Sequence, residues 1–390
     1  MIAPARRPAA PSFALVALAD LARDGAAWDD LFARALDPHP HYSRHVLAAH
    51  RAAGLVPDDL RIVVVRSGDR LDAVLPFRLT YDLCGLGRPV ARPFLSPFVT
   101  ATLPLVADGP DLPATLAALV AGLRAASGGR PWRWPLLATQ TRLGRALAAA
   151  LAEAGWALGE VAAFARPMLD RRASHDAFEA DHPNRARLKD LRRRQRRLSE
   201  GGSLALETAT GGEPLRAAVT SFLALEQAGW KGAAGSAMAT RPSHAAYARA
   251  LFREDGGPVA ARADLLTRDG RPLAISLAVV AGGTACLLKT TYDEAERAGA
   301  PGLVLESEIV RALHATAFAD RLDSATLAGS ALESLYPERE AIAEIVAVPQ
   351  GGLVSLERRV RLARFEHAAR AEAKRYLAES AMARRLMGRG

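Results

Sequence analysis

Apolar and polar residues alternate with two periods along the chain, and the switches between them mark out its elements. Helix spacing runs from Trp28 to Leu36 and from Ser43 to Ala53, then gives way to β-rich runs at Arg61 to Arg66 and Leu71 to Thr80. The turn Ser67-Gly68-Asp69 between those runs predicts a hairpin. Helical spacing returns at Leu112 to Ala126 and Gly144 to Gly155, with strands predicted at Trp132 to Leu137 and Val161 to Leu169. These make one α/β unit ending near Asp170.

A second unit opens on a polar helix that Pro183 starts and Leu198 ends, stopped by Gly201-Gly202. Ser203 to Glu207 reads as a strand and Glu213 to Ala228 as a helix. Three β segments, Ala261 to Thr267, Pro272 to Ala281 and Thr284 to Thr291, are joined by the glycine turns Arg268-Asp269-Gly270 and Gly282-Gly283, which implies an antiparallel meander. Pro301 opens a helix from Gly302 to Ala317, and Asp323 to Leu327 reads as the next strand. From Leu356 to Met387 a charged amphipathic helix, with Val360, Leu362, Phe365, Ala369, Tyr376 and Leu377 as its apolar residues, is expected to pack across a domain. The expected domains are 1–170, 171–350 and the C-terminal helix 351–390.

Composition narrows the classes. With 390 residues, 50% hydrophobic and 24% charged, the chain is globular, and disorder and collagen-like structure are excluded. Cys84 and Cys286 are far apart and lack a C-x-x-C pairing, which excludes a disulfide framework or a cysteine-built zinc site and fits a reducing compartment. No apolar run approaches the ~18 residues of a spanning helix. The stretch Phe13 to Ala19 is too short for a signal and is stopped by Asp20, so a cytoplasmic protein with a frayed start around Arg6 and Arg7 is expected.

Charge is concentrated in one place. Between Pro183 and Leu198 eight cations, Arg185 to Arg197, face the single Asp190, a local +7 within a net +9. Leu188, Leu191 and Leu198 share a stripe by which this helix can dock, leaving arginines to meet a polyanion, while a solvated face is the plainer alternative. A nucleic-acid module is disfavoured because no aromatic or glycine pattern accompanies the arginines. His39, His41, His45 and His50 cluster, and His41 and His45 have the i, i+4 spacing of a ligand pair. Without a following glutamate they read as surface histidines, and no metal is expected. No Gly-x-Ser-x-Gly elbow is present.

After the third β segment the chain reads Thr291-Tyr292-Asp293-Glu294, then Arg297-Ala298-Gly299-Ala300-Pro301-Gly302, then a helix. Small residues at a helix start let main-chain N–H groups approach a pyrophosphate, and an ordinary strand-to-helix turn is the alternative. Together with Leu225-Glu226-Gln227-Ala228-Gly229-Trp230-Lys231-Gly232, Lys289-Thr290-Thr291-Tyr292-Asp293-Glu294 and Ala300-Pro301-Gly302-Leu303-Val304-Leu305, this chain resembles the GNAT acyltransferase superfamily, specifically its CelD-like branch. Leu335-Tyr336-Pro337-Glu338-Arg339 extends the likeness, which covers about residues 175 to 345. The resemblance implies an α/β fold of tandem GNAT-like domains, each a mixed, mostly antiparallel sheet flanked by helices, as in the Fem-type aminoacyl transferases.

The activity so implied is acetyl transfer from acetyl-CoA to an amine or hydroxyl of a sugar, polysaccharide precursor or small metabolite. One alternative is Fem-type aminoacyl transfer to a cell-wall precursor, with aminoacyl-tRNA as donor and the only case in which nucleic acid is a partner. Another is a non-catalytic module that holds a polyanion or an anionic membrane. The superfamily's usual R/Q-x-x-G-x-G/A loop is altered here, the glycines standing two and five residues after Arg297. On this reading Arg297, Gly299, Gly302 and Leu303 hold the donor, Asp293 or Glu226 is the base, and Tyr292 protonates the departing thiolate. Trp230, Lys231 and Lys289 line the acceptor groove, since a lysine inside a strand implies one wet or ligand-bearing face.

Overall fold

The computed structural model describes residues 9–253, 257–327, 329–351 and 354–387; Arg6 and Arg7 lie outside them, as does the Leu377 side chain. Two compact units result, one of Met1–Asp37, Asp58–Phe164 and Ala341–Gly390, the other of Pro38–Pro57 and Ala165–Glu340. Among the described residues no helix is long and apolar enough to cross a membrane.

The first unit begins with β1 (Ser12–Ala17), α1 (Leu18–Ala22) and α2 (Gly25–Arg34), before the chain enters the second unit for α3 (Arg44–Ala52). The apolar run read above as too short for a signal is mostly β1, paired antiparallel with β2 (Arg61–Ser67). The hairpin of β2 with β3 (Arg70–Tyr81) forms as expected, and β4 (Pro89–Pro93) and β5 (Leu105–Val106) both pair antiparallel with β3. Helix α4 (Leu112–Ser127) then carries the chain to β6 (Trp132–Ala138), which lies parallel to β4, as a crossover of that length permits. Helix α5 (Arg142–Glu153) and β7 (Trp156–Asp170) follow.

Unit two repeats that local order. After α6 (His175–Asp181) and α7 (Arg185–Ser199) come β8 (Leu204–Ala209), α8 (Gly212–Ala228), the single-turn α9 (Trp230–Ala233) and α10 (Pro242–Leu251). The meander of β9 (Ala260–Arg268), β10 (Arg271–Ala281) and β11 (Thr284–Tyr292) is antiparallel throughout, and α11 (Pro301–Thr316) leads to β12 (Arg321–Asp323), parallel to β11. The sheet is completed by β8 against β9 and by Met168 to Asp170 of β7 against β12. Finally β13 (Glu338–Pro349) pairs with β6, and α12 (Leu356–Met387) closes the chain. Each unit is thus a mostly antiparallel sheet with one parallel pair made by a helical crossover.

Several expectations change. The units do not divide at 170 and 350, because the chain changes unit inside β7 and β13, and residues 38–57 join the second unit. There α3 packs on α10, with the His50 ring 4.3 Å from that of Tyr247 and His45 Nε2 2.7 Å from the Leu251 carbonyl oxygen. His45 and His50 are therefore packing groups, and His41 and His50 are buried, where a solvent-facing set was expected. Strand β12 stops at Asp323 rather than running to Leu327, because the Asp323 carboxylate accepts the Ala325 amide and Ala325 is left-handed (φ 51). The first turns of α12 bury apolar groups, Val360 and Ala363 against Val90, Val161 and Val346, while Phe365 and Tyr376 are exposed.

The basic helix docks as its leucine stripe predicts, with Leu188, Leu191 and Leu198 buried against α11 residues such as Val304 and Leu305. Asp190 pairs with Arg187, Arg193 and Arg194, and the hydrogen bonds from Arg194 and Arg193 lower its carboxyl to about 2. Leu198 also lies against Gly299, where any added Cβ would overlap its methyl group. Leu198→Ala should therefore lower the unfolding free energy by about 2–4 kcal/mol in urea titration; a loss within about 0.5 kcal/mol would show that the helix is not held by its leucines.

Candidate active site

The early end of β12 shapes the site. It pairs with β11 only from Thr284 to Cys286, so β11 runs on to Tyr292 with one edge uncovered. Along that stretch Leu277 opposes Lys289 and Ala278 opposes Leu287, which leaves Leu288 as the extra residue of a β-bulge. A bulge disrupts the ladder locally and re-aims the side chains around it.

A small crevice lined by Glu226, Gly229, Trp230, Lys231, Thr291, Tyr292 and Glu294 opens beside the end of β11. Glu226 ends α8 fully buried. One oxygen accepts the Met238 amide at 2.7 Å, and the other lies 2.6 Å from Lys289 Nζ and 3.5 Å from Lys231 Nζ. Lys231 also donates to the Thr290 carbonyl at 2.9 Å, capping a main-chain oxygen of β11. Burial lowers the Lys231 pKa, against the pull of Glu226. The chain passes from α8 to α9 without a loop because Gly232 sits where a Cβ would overlap the Gln227 carbonyl oxygen. Two cations thus share one buried carboxylate, Glu294 adds a second acid to the crevice, and the Trp230 indole on its wall is half-exposed.

Beyond β11 a 3-10 turn, Glu294–Gly299, leads into α11. Asp293 caps that turn by accepting the Ala295 amide at 3.0 Å and pairs with Arg271 at 2.5 Å, so its carboxylate braces the loop. Arg268 holds Glu296, and Arg194 of the basic helix donates to the Ala298 carbonyl at 2.8 Å. At the start of α11 the Leu303 and Val304 amides both donate to the Ala300 carbonyl and Pro301 has none. Gly302 is then the one first-turn amide without an acceptor among the described residues. Its Cα lies beneath Tyr292, where an added Cβ would come 3.3 Å from the ring. Burial and then Glu294 raise the Tyr292 pKa, while exposed Arg297 opposes them.

Beneath β11 lies a group the sequence reading did not single out. Glu306 of α11 is buried and accepts hydrogen bonds from Ser276 (3.1 Å), Thr290 (2.9 Å) and Tyr336 (3.2 Å). Burial pushes its carboxyl up to about 7 in spite of those donors. The signal was present, since Glu306 lies among Val304, Leu305, Ile309 and Val310 on the apolar stripe of α11. Glu294 was likewise passed over as a turn residue.

The structure brings Glu226, Lys231, Trp230 and Tyr292 to one crevice, pairs Lys289 with Glu226, and places Arg297, Gly299 and Gly302 on the adjoining loop and helix start. It commits Asp293 to the loop and the Leu303 amide to the helix.

Comparison with known proteins falls on this region. Residues 185–326 match the family described as acetyltransferase (GNAT) domain. The second unit carries a GNAT acyltransferase domain. No curated protein matches the chain. Among solved structures, the C-terminal domain of a putative lysylphosphatidylglycerol synthetase from Agrobacterium fabrum is 15% identical, with 85% of this chain and 92% of that one covered at a TM-score of 0.53. FemX is 11% identical over 83% and 95% at 0.53. A conserved Bacteroides thetaiotaomicron protein of unknown function is 14% identical over 84% and 97%, also at 0.53. These likenesses concern the fold, and they cover more than four fifths of the chain.

Two measurements test the site's electrostatics. Glu226→Ala leaves two lysines and the Met238 amide without their acceptor and should cost about 3 kcal/mol of stability, more than Lys289→Met; equal losses would contradict the shared-carboxylate geometry. Glu306 keeps its proton in the folded protein at pH values where the unfolded chain has lost it. The stability it contributes is therefore complete below about pH 4.5 and is lost as pH rises through about 7, roughly 3 kcal/mol in all. Glu306→Gln should flatten that slope in urea titrations from pH 4.5 to 8, and an unchanged slope would rule Glu306 out as its source.

Proposed function

We propose that the protein is an acyltransferase of the CelD-like branch, moving an acetyl group from acetyl-CoA to an amine or hydroxyl of a sugar, polysaccharide precursor or small metabolite. The observation that carries this reading is the crevice of the GNAT domain, where Tyr292, Lys231 and the Glu226 carboxylate that Lys289 also pairs meet beside a loop rich in small residues at the uncovered edge of β11. On this reading the donor's diphosphate lies at the Gly302 amide and Arg297, while Gly299 lets Leu198 of α7 pack against the loop. The positive field of α7, whose Arg193, Arg196 and Arg197 are exposed, favours such a polyanionic donor.

The acceptor enters beside Trp230, and its amine or hydroxyl attacks the thioester carbonyl. Glu294, on the crevice wall, takes the proton that leaves the nucleophile. The main-chain N–H freed by the bulge at Leu288 supports the developing oxyanion, and the C–S bond breaks as Tyr292 returns a proton to the thiolate. Glu226 acts through Lys231 and Lys289 as a positioning residue rather than as the base, because both its oxygens are already engaged.

The test is release of free CoA from acetyl-CoA in the presence of pooled amino and hydroxyl sugars. Turnover without charged tRNA is expected. Tyr292→Phe should lower kcat by about 10²-fold, and Arg297→Ala should raise KM for acetyl-CoA with little change in kcat. Turnover only with aminoacyl-tRNA would move the donor to the Fem type. Salt-sensitive polyanion binding without thermal stabilisation by CoA would favour the non-catalytic module.

A further inference from the structure

We propose that His39, Cys286 and Asp323 form a site for one divalent metal ion of the zinc class. The three residues come from separate parts of the second unit: His39 from the 38–57 segment, Cys286 from β11 and Asp323 from the end of β12. Their ligand atoms lie within 4.8 Å of one another, with His39 Nε2 3.5 Å from Asp323 Oδ2 and 3.8 Å from Cys286 Sγ. The cluster stands at the paired end of β11, away from the crevice at Lys289 to Tyr292.

The spacing argues for coordination over a plain hydrogen-bond network. Hydrogen bonds to nitrogen or oxygen settle at about 2.7–3.2 Å, and in a well-packed interior three polar atoms would close to such distances. Here a single ring nitrogen faces both other groups, so it cannot serve both as donor and acceptor at once. Zinc bonds of about 2.0–2.3 Å in tetrahedral geometry set ligand atoms roughly 3.3 Å apart for nitrogen and oxygen and roughly 3.6 Å for nitrogen and sulfur. The two separations from His39 Nε2, 3.5 and 3.8 Å, are close to those edges. The donor set, one thiolate, one imidazole and one carboxylate, suits zinc or cobalt and disfavours magnesium or calcium, and three protein ligands leave a fourth position for water.

The remaining contacts of Asp323 fit an outer shell, while His39 Nδ1 is buried without a hydrogen-bond partner among the described residues. Asp323 Oδ1 accepts the Ala325 amide at 2.7 Å, which fixes the carboxylate and leaves Oδ2 toward the site. Arg166 lies 3.4 Å from that Oδ2, where its guanidinium can hold the carboxylate's second lone pair, as outer-shell donors do for ligating carboxylates. The His39 ring lies on that of His41, 4.3 Å between centroids, which limits its rotation. Metal binding would tie the 38–57 segment to β11 and β12 and hold the point at which those strands diverge.

Cobalt reads the site directly, because a thiolate ligand gives a charge-transfer band that an imidazole–carboxylate site lacks. The full-length protein, stripped with chelator and titrated with Co²⁺, should bind one equivalent with that band, and zinc should displace it. Cys84→Ser should leave the band intact, since Cys84 lies in the other unit, whereas Cys286→Ser should abolish it and His39→Gln should weaken binding by more than about tenfold. The wild-type and Cys84→Ser spectra decide the matter even if a variant at the cluster fails to fold. No stoichiometric binding, binding without a thiolate band, or binding unaffected by both cluster variants would overturn the site.

Discussion

A single buried carboxylate holds the crevice together. Glu226 sits at the end of α8, where it takes the Met238 amide with one oxygen and two ammonium groups with the other. One of those ammonium groups goes on to the Thr290 carbonyl of β11. Helix end, following turn, single-turn helix and central strand are thereby fixed to one another through one charge. Burying an ion costs several kcal/mol, and only the paired lysines and the amide offset it. The arrangement also explains why the lysines stand in a strand and a helix start: each needs the same acid, and the acid needs both.

Much of the scaffold was legible from periodicity. The meander β9 to β11, the crossover helix α11 and the docking stripe of α7 follow from strand alternation, glycine turns and leucine spacing, which are local signals. Non-local pairing escaped. Strand β13 carries no turn chemistry that sets it apart, and its place beside β6 depends on residues some two hundred positions away. The divided units escaped for the same reason, since nothing near Pro38 announces that α3 will find α10.

The site was legible in part. Glu226, Trp230, Lys231, Lys289 and Tyr292 stood out as polar or aromatic residues in motifs, and they do meet. Whether a carboxylate is a base or a brace is decided by what its oxygens touch, which one sequence does not reveal. Asp293 is spent on a turn and on Arg271, whereas Glu306, hidden on an apolar stripe, holds a proton near neutral pH beneath the same strand. The two units share the order meander, helix, parallel strand, yet differ at the turn before the helix. In the second a short 3-10 turn joins β11 to α11, while in the first the chain wanders through β5 before reaching α4.

Hydrogen exchange of the whole protein with and without acetyl-CoA tests the central claim most directly. If the donor binds where β11 opens, protection should rise across residues 287–304 and in α9, with the first unit's strands unchanged. Protection confined to other segments, or none at saturating acetyl-CoA, would contradict the account.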